Sequence, residues 1–390
     1  MKMKKPYPIT IPLWGFLSLL FFFTIPSHQA ILDYPPPSLP IPNPRLLNAF
    51  FALQSWKKHA ITSDPKGFTS NWYGPNVCNY TGIYCAPSLD DPHTITVAGI
   101  DLNHGNIAGY LPEELGLLTD LALFHINSNR FYGKLPNNFR YLRLLYELDV
   151  SNNRFSGEFP SVVLCLPSLK FLDIRFNEFR GKIPAEVFDL KLDALFINNN
   201  KFQSNLPKNI GNSPVSVLVL ANNDLNRGCI SSSIGKMAET LNEIILMNVN
   251  LGGCLPNELG LLNRVTVFDV SSNNLVGKLP ESMGNMKSLE QLNVANNKLS
   301  GEIPASICSL PRLENFTYSY NYFCTESSLC LKLPDKDDKK NCIPGRPKQR
   351  SVYECKAFYS HPNPMVDCSA FGCSARSPPP PPPPVYYHYP

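Results

Sequence analysis

Three sets of side chains in this sequence could carry chemistry, and two are quickly assigned. The histidines, His28, His59, His93, His104, His125, His361 and His388, are dispersed. His104 and His125 fall near adjacent units of the pattern described below, but no Ser or Cys stands beside them in a nucleophile slot. Core or turn roles are expected for both. The glycines form no phosphate-cradling loop. The cysteines number 12, with no Cys-x-x-Cys pair and no His at ligand spacing. An even count of that kind reads as disulfides in an oxidising compartment and not as zinc. The expectation is a protein without catalytic residues, cofactor or metal. The third set is a group of carboxylates at like positions of a pattern that recurs mostly every 24 residues, and its meaning depends on the elements that hold it.

Those elements follow from a repeat. The pattern L-x-x-L-x-L-x-x-N-x-L-x-G-x-L-P fits Leu121 to Pro136, Leu145 to Pro160, Leu169 to Pro184, Val265 to Pro280 and Leu289 to Pro304. Looser units begin at Val97, Leu192, Val215 and Leu241, and a last one runs from Leu313 to Phe323. Alternation in L-x-x-L-x-L predicts a short parallel strand whose Leu-type residues point inward. The Asn side chain then bonds the backbone where the chain leaves the sheet, and Gly and Pro close the outer turn. No unit can bury its apolar face alone, so about ten of them stack into one α/β solenoid. The Gly-x-[Leu/Ile]-Pro ending resembles the plant-type leucine-rich repeat.

The flanks divide the remainder. Lys2, Lys4 and Lys5 precede an apolar run from Ile9 to Ile25, with small residues at Ser27 and Ala30, which predicts a secretory signal peptide over 1–30. The alternative, an anchor helix, is disfavoured by Pro12 and by length. No second apolar run is long enough to span a membrane, so the mature chain is expected to lack a transmembrane segment. A Pro-rich segment covers 31–44, an N-terminal cap 45–96, the repeats 97–323, a Cys-rich cap or hinge 324–376, and a Pro-rich tail 377–390. Asn79-Tyr80-Thr81 and Asn315-Phe316-Thr317 are N-glycosylation sequons, in keeping with secretion. A net charge of +4 is too small for a nucleic-acid binder that relies on phosphate neutralisation.

Cys229 and Cys254 each follow Gly in the same slot of successive units, and rungs lie about 4.8 Å apart, so a rung-to-rung disulfide is expected there. Cys308, Cys324, Cys330, Cys342, Cys355, Cys368 and Cys373 should tie the end of the chain together, with connectivity open. Cys165 has no partner in the pattern and is expected to be a buried thiol or, failing that, an intermolecular bridge.

Longer strings carry a closer likeness. VAGIDLNHGNIAGYLPEELGLLTDLALFHINSNRF (97–131), SLKFLDIRFNEF (168–179), PVSVLVLANN (214–223), LNEII (241–245), VTVFDVSSN (265–273), ASICSLPRLENFTYSYN (305–321) and NCIPGRP (341–347) resemble the leucine-rich repeat extensins of plant cell walls. Ser377 with its proline run, followed by Val385 to Pro390, is similar to one extensin module. A proline run of this kind is an extended polyproline II rod. The resemblance implies tyrosine cross-linking at Tyr387 and Tyr389. The segment from Arg45 to Cys85 resembles the amino-terminal cap of secreted plant leucine-rich-repeat proteins, which implies a Cys78–Cys85 bridge.

The solenoid's concave sheet is its usual binding face. Its outward positions include five acids, Glu147, Asp149, Asp173, Glu243 and Asp269, with Arg175 as the one strong base. Between them runs an apolar strip of Phe171, Phe196, Val219, Ile245, Met247 and Val267. Such a face favours a basic partner. The resemblance implies the same, namely binding of rapid alkalinization factor peptides, which are small, basic and cysteine-containing, in the plant cell wall or apoplast. It also implies a link to receptor-like kinases, wall pectin and wall expansion, and a homodimer. The competing readings are an inhibitor of wall hydrolases, as in polygalacturonase inhibitors, and a purely structural wall protein.

Overall fold

A computed structural model describes residues 43–360. The expected signal peptide, most of the Pro-rich segment, Cys368, Cys373, Tyr387 and Tyr389 lie outside those residues. The repeats stack as read. A 12-stranded sheet opens with Ile83–Pro87 antiparallel to Ile95–Asp101. It continues in parallel through Leu123–His125, Glu147–Asp149, Phe171–Asp173, Ala194–Phe196, Val217–Val219, Glu243–Ile245, Val267–Asp269, Gln291–Asn293 and Asn315–Thr317. The sheet then runs one strand beyond the recognisable repeat, to Asp335–Asp337.

In most of these strands the middle residue is buried and its neighbours are half-exposed, as a period of two requires. The returning side of each unit is built from short 3-10 turns such as Glu113–Leu117 and Asn137–Tyr141 and from a second set of short parallel strands. That outer sheet is broken between Lys201–Phe202 and Val276–Gly277. The break falls at the unit that begins at Val215, which carries one residue more than the pattern before Cys229, and there Asn226 and Arg227 both take positive φ.

Asparagine ties rung to rung. The Asn153 amide donates to the carbonyls of Ile126, Val150 and Ser151 at 2.9, 3.1 and 3.0 Å, while its Oδ1 accepts from the Phe131 amide at 2.9 Å. Asn129, Asn177, Asn223, Asn273, Asn297 and Asn321 repeat the arrangement, and Asn341 continues it past the last readable unit. Behind the ladder the Phe slot forms a stack: Phe155, Phe179 and Phe202 lie face to face at 6.4 Å between successive centroids.

Both ends are covered. The helix Pro44–Ser55 is capped by Asn43, whose side chain accepts from the Leu46 amide, and it buries Leu46, Ala49, Ala52 and Leu53. Trp56 follows, fully buried among Trp72, Phe124 and Phe131. The chain then adds Ile61–Ser63 antiparallel to Ala108–Gly109. A Cβ on Gly109 would sit 2.2 Å from the Ala60 carbonyl, so that junction requires glycine. Cys78 and Cys85 are bridged, with Cα atoms 5.5 Å apart. At the other end Cys308–Cys330 and Cys342–Cys355 fasten the last rungs.

Three cysteine expectations need correction. Cys324, expected to help tie the end of the chain together, is a free, half-buried thiol. Cys229 and Cys254 are both disulfide-bonded, but a bridge between them is not among those that join described residues. On the outer side the Gly252 amide donates to the Gly228 carbonyl. That register sets Cys229 beside Gly252 and leaves Cys254 two residues further along its rung. Cys165 is a free thiol but an exposed one, at the end of the 3-10 turn Ser161–Cys165. Its slot faces outward, while Val162 and Val163 take the buried places.

Replacing Asn153 by Ala removes the shared amide from three buried carbonyls and the acceptor from a buried N–H. We expect a loss of about 3 kcal/mol in urea unfolding of the full chain. A loss below about 1 kcal/mol would mean that packing, and not the ladder, sets the register.

Candidate functional site

Strand register arranges the concave face in rows. Leu123, Glu147, Phe171, Ala194, Val217, Glu243 and Val267 are successive partners in one row. His125, Asp149, Asp173, Phe196, Val219, Ile245 and Asp269 form the next. Arg175 and Met247 extend the face two residues further along their chains. The sequence-read residues therefore do share one surface, and apart from Asp173 they are half-buried.

The acids differ in how they are held. Asp149 accepts from the Ser151 amide and hydroxyl at 2.9 and 2.6 Å. Asp269 accepts from the Ser271 amide at 2.8 Å and from the Asn293 side chain at 3.0 Å. Glu147 pairs with His125 at 3.0 Å. His125 is thus on the face, contrary to the core or turn role expected of it: its strand position turns it outward toward the acid on the next rung.

Asp173 departs from the expectation of an exposed acid. Its side chain is 0% exposed. The aromatic rings of Phe171 and Phe196, 5.6 Å apart, crowd it, and Arg175 closes over it with Nε 3.0 Å from Oδ2. The guanidinium also lies 5.0 Å from the Phe196 ring centroid, a cation–π contact. Burial pushes the Asp173 carboxyl up to about 7, the charge of Asp149 adds to the rise, and the Arg175 amide and charge only partly offset it. The clue in the sequence is the spacing Phe171-x-Asp173-x-Arg175 with Phe196 one rung on, which places bulk on either side of a small acid.

Asn79 is exposed. Asn315 lies on the concave strand Asn315–Thr317, its amide donating to Asp335 at 3.1 Å. A glycan there would occupy the C-terminal end of the face and leave the middle rungs open. Two cavities lie off the face: one of about 540 Å³ beside Leu117, Arg140, Tyr141, Arg143 and Cys165, and one of about 400 Å³ beside Lys134, Ser156 and Glu158. Among the described residues no helix is long and apolar enough to cross a membrane.

Comparison with known proteins agrees with this geometry. Residues 48–86 match the leucine rich repeat N-terminal domain, and residues 144–166, 168–190, 264–286 and 288–310 match the leucine rich repeat. The chain is 70% identical to leucine-rich repeat extensin-like protein 6 of Arabidopsis thaliana, over 93% of this chain and 78% of that protein. It is 64% identical to leucine-rich repeat extensin-like protein 3 of the same plant, over 86% of this chain but 44% of that longer protein. Among solved structures, the Arabidopsis receptor kinase HAESA, in complex with the peptide hormone IDA and a co-receptor, superposes with TM-score 0.60. That match has 27% identity over 75% of this chain and 53% of HAESA. A plant ice-binding protein superposes with TM-score 0.63 at 20% identity, over 80% of this chain and 99% of its own, a likeness of fold alone.

Because the folded chain keeps the Asp173 proton to a higher pH than an unfolded chain would, its stability falls as pH rises from the ordinary carboxyl range to about 7. Asp173→Asn fixes the neutral form. The variant's melting temperature should match the parent's near pH 4 and exceed it by a growing margin up to pH 7. An equal difference at every pH would contradict the burial assigned to this carboxyl.

Proposed function

The chain belongs to the leucine-rich repeat extensin family, and we propose that it is a secreted plant cell-wall receptor for basic, cysteine-containing peptides of the rapid alkalinization factor type. The peptide lies on the concave sheet, and its binding modulates wall formation and expansion. The observation that carries this reading is the face itself. Half-buried Phe171, Phe196, Val219, Ile245 and Val267 alternate with Glu147, Asp149, Glu243 and Asp269 on a rigid sheet, with Arg175 folded down onto an acid of its own strand. Apolar residues without a covering element are sites of contact, and acids around them select cations. The likeness to HAESA, solved with a peptide hormone, supports the use of such a sheet for a peptide. The role proposed for this face is recognition.

Peptide binding of this kind joins apolar burial to long-range charge attraction, and the second part is screened by salt. Titration of the full chain with a panel of synthetic basic peptides should find a submicromolar ligand that weakens between low and high salt. Phe196→Ala should weaken it about tenfold or more with the melting temperature kept. Glu243→Lys, which breaks no side-chain hydrogen bond among the described residues, should weaken it most at low salt. A Lys at position 173 would bury an unpaired cation and is not a clean probe. Full affinity in both variants would place the site elsewhere, and the absence of any ligand in the panel would remove the reading.

A further inference from the structure

In the middle of the concave sheet two carboxylates face each other across neighbouring strands. Asp149 and Asp173 are register partners, and such partners lie about 4.8 Å apart. Like charges placed directly opposite are unfavourable unless a cation or a proton intervenes. Asp173 is fully covered, yet its Oδ2 accepts no hydrogen bond. The cover is Arg175, whose Nε is close to that oxygen but also lacks a hydrogen-bond partner. Proximity without alignment is a weak hold. The Arg175 side chain remains 38% exposed, so it can swing off into solvent without any backbone change.

The surroundings leave few other charges. On the strand Glu147–Asp149 the facing groups are Asp149 and Glu147, the latter occupied by His125 from the strand before. On Ala194–Phe196 the facing groups are neutral, and behind the sheet lie Leu172 and Ile174. Among the described residues Arg175 is the cation against Asp173, and His125, the register partner of Asp149, is turned to Glu147. Asp173, pushed up to about 7, therefore keeps its proton in mildly acidic medium, and Asp149 opposite it is held by the Ser151 amide and hydroxyl. A cation brought beside Asp173 would shift its titration downward.

Resting on the peptide-receptor reading above, we propose that Asp149 and Asp173 form a subsite for one guanidinium or ammonium group of the bound peptide, which takes the place of Arg175 and expels a proton. The balance is simple. The protonated Asp173 carboxyl and the cation combine to give the Asp173 carboxylate with the cation between it and Asp149, and one proton passes to solvent. No covalent bond other than O–H is broken. The Phe171 and Phe196 rings flank the position and accept the apolar stem of an arginine or lysine side chain. Arg175, once displaced, is no longer bound to the face, and the net charge of the complex is set by the pair and the ligand.

Linkage makes this measurable. Affinity should rise about tenfold per pH unit on the acid side of the Asp173 titration and level off above it. The test is calorimetric titration of the full chain with a synthetic basic, disulfide-bridged peptide at several pH values, each in two buffers of different ionisation enthalpy. On the acid side about one proton should be released per peptide, and Asp173→Asn should abolish both the release and the slope while still binding. Glu158→Gln, exposed and off the concave face, should retain both. A wild-type chain that binds without proton release, or an Asp173→Asn chain that keeps the slope, overturns the subsite and leaves the receptor reading standing. A chain that binds the peptide at no pH removes both. Should Asp173→Asn fail to fold, the two-buffer proton count on the wild-type chain decides alone.

Discussion

The structure depends on an asparagine that satisfies three carbonyls at once. Each repeat exposes a turn where the chain leaves the sheet, and there the backbone has no partner within its own unit. An amide at that point donates to its own turn and to the preceding rung, as Asn153 does toward Ser151 and Ile126. The same residue accepts from the amide of the preceding unit. Register is therefore locked at every rung, and the alternation of side chains cannot slip. The concave rows follow from that lock: a carboxylate in a given slot meets the residue in the same slot of the next unit, whatever its charge.

That constraint explains the character of the face. A globular surface can move two like charges apart, but a stack with fixed register cannot. Asp149 and Asp173 are held opposite each other, and the molecule answers with burial, a proton and a folded-down arginine. The rest of the face is less strained, with Asp269 bonded to the serine two residues on and Glu147 bonded to His125. A rigid, preformed surface of this kind pays little ordering cost when it binds, so modest apolar contacts and a few charges suffice.

Much of this was legible in the sequence, and the omissions have physical causes. The repeat slots predict the strands, the turns and the outward rows, because period and register are local. The strand Asp335–Asp337 escaped notice because its unit has Lys336 at the inward position and no Leu pair, although Asn341 keeps the ladder. The Cys229–Cys254 expectation aligned slots, whereas the outer side of each rung pairs with an offset that slots do not reveal. Asp173 was placed correctly on the face but not in its burial, since exposure there depends on the bulk of residues one rung away. Cys165 was misjudged for a related reason: in a 3-10 turn the alternation of a strand gives no guide to which side is buried.

The central claim is that a cationic ligand meets this inner sheet. Carboxyl labelling of the full chain with a water-soluble carbodiimide, read residue by residue by mass spectrometry, tests it most directly. With a bound basic peptide present, Glu147, Asp149, Glu243 and Asp269 should be protected, while Glu158 and Glu178 on the outer sheet should label as before. Protection of the outer pair with the inner acids unchanged would contradict the account.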